Sequence, residues 1–307
     1  MSRPEAEEGF NPKPGVAEEL FADVRRILAP NPSPMTYRGT NTYLVGRRQL
    51  AVIDPGPQSD QHLEAILAAV QPGQSVSHIL VTHSHLDHSP LAAALQARTG
   101  APILAFGDAQ AGRSPVMQSL ARDGLAGGGE GLDHGFTCDQ SLADGAQVIG
   151  DDWQLQVLHT PGHIGNHLCF ATGDLLFSGD QVMGWASSLV SPPDGDLTDF
   201  MASCRRLQAR SWAAMLPGHG AVIRDPQARL DWLVQHRSLR EREILTALEL
   251  APADAAALAA RIYTETPAPL LKAAERNVFA HLVDLTQRGE VRPIGALSAL
   301  ATFEKLG

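Results

Sequence analysis

Residues 81–90 read VTHSHLDHSP, so that His83, His85, Asp87 and His88 fall within a few positions of one another. Imidazoles and carboxylates withdrawn from water are costly unless something compensates them. A shared cation is the simplest compensation. Three more candidates stand elsewhere: His163 in TPGHIGNH, Asp180 in FSGD and His219 in LPGHG. Each lies in a short turn-like segment, where the backbone fixes the direction of a side chain. Together they are five imidazoles and two carboxylates. This nitrogen and oxygen set suits zinc, with iron or manganese as alternatives. Seven donors are too many for one tetrahedral ion and suit two divalent ions that share one carboxylate. Two such ions outweigh both aspartates and a bridging hydroxide, so the site stays positive and favours an anionic or carbonyl-bearing substrate.

Strands and turns must position these residues. SHILVT is a buried strand that ends at the histidine cluster, and Ser89-Pro90 reads as N-cap and first residue of a helix through LAAALQAR. LFADVRRILA, TNTYLVG, LAVIDPG and APILAF read as strands. Ser59 caps a helix whose Leu63, Ile66, Leu67 and Val70 share one face. The first hundred residues therefore read β-β-β-α-β-α-β. QVIGDDWQLQVLHT, HLCFATGDLLFSGD and WAAMLPGH add strands that end near a histidine or aspartate. The glycine-rich GLAGGGEGLD (124–133) reads as a flexible surface connection, with a role in admitting substrate as the alternative.

A boundary is expected at residue 225, where Asp225-Pro226 starts a helix. Two more helices follow, ADAAALAARIY and LLKAAERNVFAHLVDLTQR, the latter with Leu271, Ala274, Val278, Leu282 and Leu285 at helical spacing. A short hairpin in GEVRPIGALSALATFEKLG completes the outline of a winged helix. The expected organisation is a flexible leader (1–20), a catalytic domain (21–225) and a winged-helix-like domain (226–307).

Composition narrows the setting. A hydrophobic share of 44% with 19% charged residues describes a globular protein. No apolar run would span a bilayer, and the acidic, proline-rich start lacks a secretory apolar core. A cytoplasmic protein is expected, with Cys138, Cys169 and Cys204 as free thiols. The net charge of −10 argues against non-specific attraction to nucleic acid or membrane.

An HxHxDH run after a strand, then Pro-Gly-His, Gly-Asp and a second Pro-Gly-His, with Asp54 upstream in IDPG, resembles the metallo-β-lactamase superfamily. The resemblance implies an α/β fold, an αββα sandwich with a dinuclear site at one edge between the sheets. It implies that His83, His85 and His163 hold the first metal, that Asp87, His88 and His219 hold the second, and that Asp180 bridges. Asp54 would stand behind them, orienting the loop or a ligand imidazole. The implied activity is hydrolysis, a metal-bridging hydroxide attacking carbonyl or phosphorus while Asp87 orients it and passes a proton to the leaving group. Ile164 and Asn166 replace a threonine and an aspartate common in relatives. His167 is open between a substrate contact and a structural role. His134 and His159 read as structural or solvent-facing, and His62 and His78 carry no assigned role.

YRGTNTYLVG, FSGDQVMG, DLTDFMASCRRL, LPGHGAVI and HRSLREREIL are similar to the β-lactamase-like protein 2 branch, which implies single-stranded RNA as a substrate. Residues 226–307 carry ten Lys/Arg and ten Asp/Glu, however, so the tail is neutral. A nucleic-acid wing is usually basic on one face. The winged helix is therefore expected to pack over the active site or an identical subunit rather than to grip a duplex. The alternative activity is hydrolysis of a small ester or thioester, as in glyoxalase II. A DNA-binding regulator is a third reading, against which the complete ligand set argues.

Overall fold

The structure, a computed structural model, describes residues 9–267 and 270–307. A seven-stranded sheet runs in chain order: Ala17–Phe21 (β1), Val24–Leu28 (β2), Asn41–Val45 (β3), Gln49–Ile53 (β4), Ser75–Leu80 (β5), Ile103–Ala105 (β6) and Gln140–Ser141 (β7). Pairing is antiparallel from β1 to β4 and parallel from β4 to β7. Parallel neighbours need crossovers, which Asp60–Ala68 (α1) and Ala92–Thr99 (α2) supply for the first two steps. A second sheet holds Gln147–Ile149 (β8), Gln154–His159 (β9), Leu168–Thr172 (β10), Leu175–Gly179 (β11) and Ala214–Pro217 (β12), in the order β12-β11-β10-β9-β8. Pro115–Arg122 (α3) follows β6, and Leu197–Gln208 (α4) crosses over from β11 to the parallel β12.

The strand period of two explains the layers. Tyr43 and Val45 of β3 face the second sheet, where Leu155, Val157, Phe170 and Phe177 meet them. Leu44, between them in sequence, faces outward and is covered with Val52 and Ile79 by Leu63 and Ile66 of α1 and Leu95 of α2. On the other side Leu207 of α4, with Leu230 and Leu233 of Pro226–Leu250 (α5), covers Cys169, Leu176 and Met215. The result is the expected αββα sandwich.

The second half of α5 serves another core. Ile244 and Leu248 pack with Leu258 of Ala255–Ile262 (α6), Val278 and Leu282 of Leu271–Gln287 (α7), and the antiparallel hairpin Val291–Pro293 (β13) and Phe303–Lys305 (β14). These are the elements of a winged helix. Asp225 caps α5 through Ala228 N, with Pro226 in the first turn. The expected boundary at 225 is thus a helix start but not a linker, because one helix runs through both cores.

The structure departs from the sequence reading at three more places. LFADVRRILA is a hairpin, not one strand: Asp23 turns the chain at φ 64°, a left-handed conformation that aspartate tolerates better than most residues. β1 begins at Ala17, inside the stretch expected as a leader, while residues 1–8 of that stretch lie outside the described residues. Ser89 does not cap α2, which starts at Ala92; its hydroxyl donates to Asp133 at 2.8 Å instead. Ser59 does cap α1, accepting from His62 N. Among the described residues no helix is long and apolar enough to cross a membrane.

Candidate metal centre

β4, β5, β11 and β12 all end at one edge of the sandwich, and each is followed directly by candidate residues. Asp54 follows β4, the segment 82–91 follows β5, Asp180 follows β11, and His219 lies just past β12. His163 sits in the link between β9 and β10. Two glycines make the crowding feasible. A Cβ on Gly218 would collide with the Asp180 carboxylate and come within 2.7 Å of His88 Cε1. One on Gly162, at φ 141°, would collide with the backbone of Phe200.

Donor atoms converge in three overlapping groups: His83, His85 and His163; His83, His88 and Asp180; and Asp87, His88 and His219. His85 Nδ1 lies 3.0 Å from both His83 Nε2 and His163 Nε2. His219 Nε2 lies 3.0 Å from Asp87 Oδ2 and 3.3 Å from His88 Nε2. Asp180 stands between the groups, Oδ2 at 3.7 Å from His163 Nε2 and 3.4 Å from His219 Nε2, and Oδ1 at 3.6 Å from His88 Nε2.

Backbone and side-chain partners fix how the rings present themselves. His163 Nδ1 donates to Leu189 O at 2.7 Å and His219 Nδ1 to Gly39 O at 3.1 Å. Asp54 accepts three hydrogen bonds: Thr82 N at 2.7 Å, Thr82 Oγ1 at 2.7 Å and His88 Nδ1 at 2.9 Å. Since the Thr82 hydroxyl gives its proton to Asp54, it accepts from His83 Nδ1 at 2.9 Å. Four rings therefore carry their Nδ1 protons outward and turn Nε2 inward, as a bare lone pair on His83 and His163. Lone pairs that face one another at about 3 Å repel unless a cation sits among them.

The charge balance says the same. Burial, then the neighbouring imidazoles, pushes His83 well below its ordinary range, and burial with His163 takes His85 down to about 3. Burial also lowers His163. Around the other group burial opposes the shift and loses. Asp87, Asp180 and Asp54 hold His88 well above its usual range, while Asp180 and Asp87 hold His219 at about 10. Asp87 and Asp180 are correspondingly depressed by His88 and His219, again against burial. In the bare chain protons on His88 and His219 supply the positive charge that two buried carboxylates require. Oδ1 of both Asp87 and Asp180 is buried without a hydrogen-bond partner. The donor set thus fits two divalent ions.

Two roles are open to His167 in the sequence, substrate contact or structural, and the structure shows partners for both ring nitrogens. The ring is fully buried, Nδ1 bonds Thr160 Oγ1 at 2.9 Å, and Nε2 accepts from Asp180 N at 3.1 Å. His167 holds the backbone that carries Asp180. His62 is also engaged, with Nε2 2.8 Å from Thr42 Oγ1 beneath Asp54. Thr82, Gly39 and Leu189 were missed, two of them because a carbonyl leaves no trace in residue type.

The glycine-rich loop is no loose surface connection. Gly131 O accepts from Leu86 N at 3.0 Å, and Asp133 N donates to Ser84 O at 2.8 Å, tying it to the histidine-bearing turn. A narrow cleft, partly open to solvent, lies over the donors. Its walls are Met35, Met183, Leu189 and Ser191, the loop residues Gly128, Gly129 and Glu130, and Asp194. Arg113 holds Asp194 at 2.5 Å.

Comparison with known proteins agrees with this architecture. Residues 35–233 match the model of the metallo-beta-lactamase superfamily, and residues 255–299 that of the beta-lactamase associated winged helix domain. The chain is 33% identical to the beta-lactamase-like protein 2 homolog of Drosophila melanogaster, over 89% of this chain and 91% of that one. It is 30% identical to an atrochrysone carboxyl ACP thioesterase of Claviceps purpurea, over 75% of this chain and 67% of that one. A crystal structure of a beta-lactamase domain protein from Burkholderia ambifaria superposes with a TM-score of 0.80 at 23% identity, covering 99% of this chain and 97% of that one. With the matching sandwich, the associated winged helix and the clustered histidines and aspartates, the chain belongs to the metallo-β-lactamase superfamily of hydrolases.

Proposed function

We propose that the chain hydrolyses a small acyl ester or thioester at a centre of two divalent ions. The observation that carries the substrate class is the cleft wall. Met35, Met183 and Leu189 are apolar, Glu130 is acidic, Asp194 is already paired with Arg113, and no Lys or Arg is among the described lining residues. Such a wall suits an uncharged acyl chain and offers the backbone of a polyanion no cationic partner. The kinship with fungal proteins named as thioesterases supports the same reading.

In this reading His83, His85 and His163 would hold one ion and Asp87, His88 and His219 the other, with Asp180 between the two groups. Zinc is the ion that such a nitrogen and oxygen set favours. Bound there, the ions would supply Lewis acidity and bring a water's pKa toward neutrality. The chain's own part is placement and proton transfer. Asp87 keeps Oδ2 beside His219, leaving Oδ1 free to accept a proton from the attacking water. The water oxygen bonds to the carbonyl carbon, the carbon–sulfur or carbon–oxygen bond breaks, and the proton passes from Asp87 to the leaving atom. Met35, Met183 and Leu189 keep bulk water from the acyl group.

The test sets zinc-loaded protein against a neutral acyl thioester of N-acetylcysteamine and a single-stranded RNA oligomer, with Asp87→Asn as control. Thioester turnover that the substitution abolishes is the expected result. Cleavage of RNA with the thioester left intact would overturn the substrate class and favour an endoribonuclease.

A further inference from the structure

The winged helix faces inward, toward one short segment of the cleft wall. Ser188 O accepts from Arg237 Nη2, a contact made by α5. Val190 N donates to Asn277 Oδ1 at 3.1 Å, and Arg276 Nη1 donates to Ser191 Oγ at 3.0 Å and Pro192 O at 3.4 Å, contacts made by α7. Leu189 lies between these anchors, and its carbonyl accepts from His163 Nδ1. Arg237 Nη1 also donates to Asn277 Oδ1 at 2.9 Å, so one amide oxygen joins both helices to the segment. Arg237 is 1% exposed, and these partners are neutral oxygens rather than carboxylates. Burying a guanidinium in that way is costly, which makes it a poor choice for packing alone. On the segment's other flank Arg229 of α5 donates to Met183 O and Ala186 O, both at 2.6 Å.

We propose that Asn277 and Arg237 of the C-terminal helices are positioning residues for the metal centre, acting through the Leu189 carbonyl on His163. A histidine ligand depends on the partner of its other nitrogen for tautomer and ring direction, and losing that partner typically weakens metal binding about 10–100-fold. Asn277 stands one step further out, and the lower end of that range, about tenfold, is expected. The winged helix is then a working wall of the site. Its arginine is spent inward and not offered to a duplex.

This inference rests on the two-ion reading above, and the experiment separates the two. Full-length protein is stripped of metal and titrated with zinc against a competing chromophoric chelator. Wild type is expected to bind two equivalents. Asn277→Leu removes the shared acceptor at similar volume, and one equivalent should weaken about tenfold with the other unchanged. Asn277→Asp restores the acceptor and should recover wild-type affinity. In a His163→Ala background, where the affected ion has already lost its ligand, Asn277→Leu should change nothing further. Equal weakening of both equivalents, or an added loss in that background, would reveal general loosening and overturn the inference. So would wild-type affinity for both equivalents in Asn277→Leu. If that variant does not fold, Asn277→Ala, which removes the same acceptor without adding apolar bulk, decides on the same titration by the same criteria. Fewer than two equivalents in wild type would overturn the two-ion reading itself.

Discussion

Asp54 touches none of the inward-facing nitrogens, yet three hydrogen bonds end on its carboxylate. All three come from donors: a backbone N–H, a hydroxyl and an imidazole N–H. An asparagine there must turn its own NH₂ toward at least one of them, leaving two donors face to face. Asp54→Asn should therefore loosen His88 and, through Thr82, His83. Metal affinity is expected to fall about 10–100-fold with the fold retained, measured by zinc competition alongside circular dichroism. Asp87→Asn is a different case, since the group removed is the proton acceptor. Turnover should drop about 100–10,000-fold while circular dichroism stays unchanged. Near-normal turnover would take Asp87 out of proton transfer.

Elements carry their own signatures, and α1 supplies one that is readable by pH. Burial lowers His62 from 6.5 to about 4, because this ring on α1 is shut beneath the end of β4. A protonated His62 is disfavoured in the folded chain but free to form in the unfolded one. Its neutral form is thus no handicap above pH 6.5, and stability is lost as pH falls from 6.5 toward 4. The full difference is about 3 kcal/mol. Urea midpoints of metal-free wild type and His62→Gln should converge over that interval as pH falls, and parallel curves would show that His62 does not titrate as its burial implies. Strand ends carry a second signature. Gly179 closes β11 at φ 47°, and a Cβ there would press to 2.6 Å from His167 Nε2 and 3.0 Å from Thr82 Oγ1. Gly179→Ala should displace Asp180 and lower metal affinity, read by the same competition. What the sequence made legible at this scale was local. SHILVT, HLCFATGDLLFSGD and the Asp225-Pro226 start carry their period or their cap within a few residues. The turn at Asp23 does not, since it lacks glycine and proline. The helix Pro115–Arg122 does carry its cap, Ser114 ahead of Pro115, but it is short, and its Met117 and Leu120 go to a core formed more than a hundred residues later. His167 shows the same limit in the site: its type and spacing do not tell a substrate contact from a structural ring, and only the position of Asp180 N shows the bond it makes.

At the scale of the molecule α5 decides how the chain comes apart. Leu230 and Leu233 lie in the sandwich, and Ile244 and Leu248 lie in the winged-helix core. A helix whose two ends are buried in different cores cannot lose one without exposing apolar surface on the other. Each such leucine or isoleucine is worth about 1.5–3 kcal/mol. Arg237 and Asn277 add polar coupling to the segment beside the metal donors. The two domains should therefore unfold together, and metal bound in the first should stabilise the second. The tryptophans make this measurable, since Trp153, Trp185, Trp212 and Trp232 all lie before the winged-helix core. Their fluorescence follows the sandwich, whereas α6 and α7 contribute only to helical circular dichroism. On thermal unfolding the two signals should share one midpoint in metal-free protein. Zinc a thousandfold above the dissociation constant of each site should raise both equally, by about 4 kcal/mol of added stability per bound ion. A helical transition that precedes the fluorescence change and ignores zinc would mean the C-terminal domain melts alone. In that case its contacts with residues 188–192 would be too weak to carry any coupling to the metal centre.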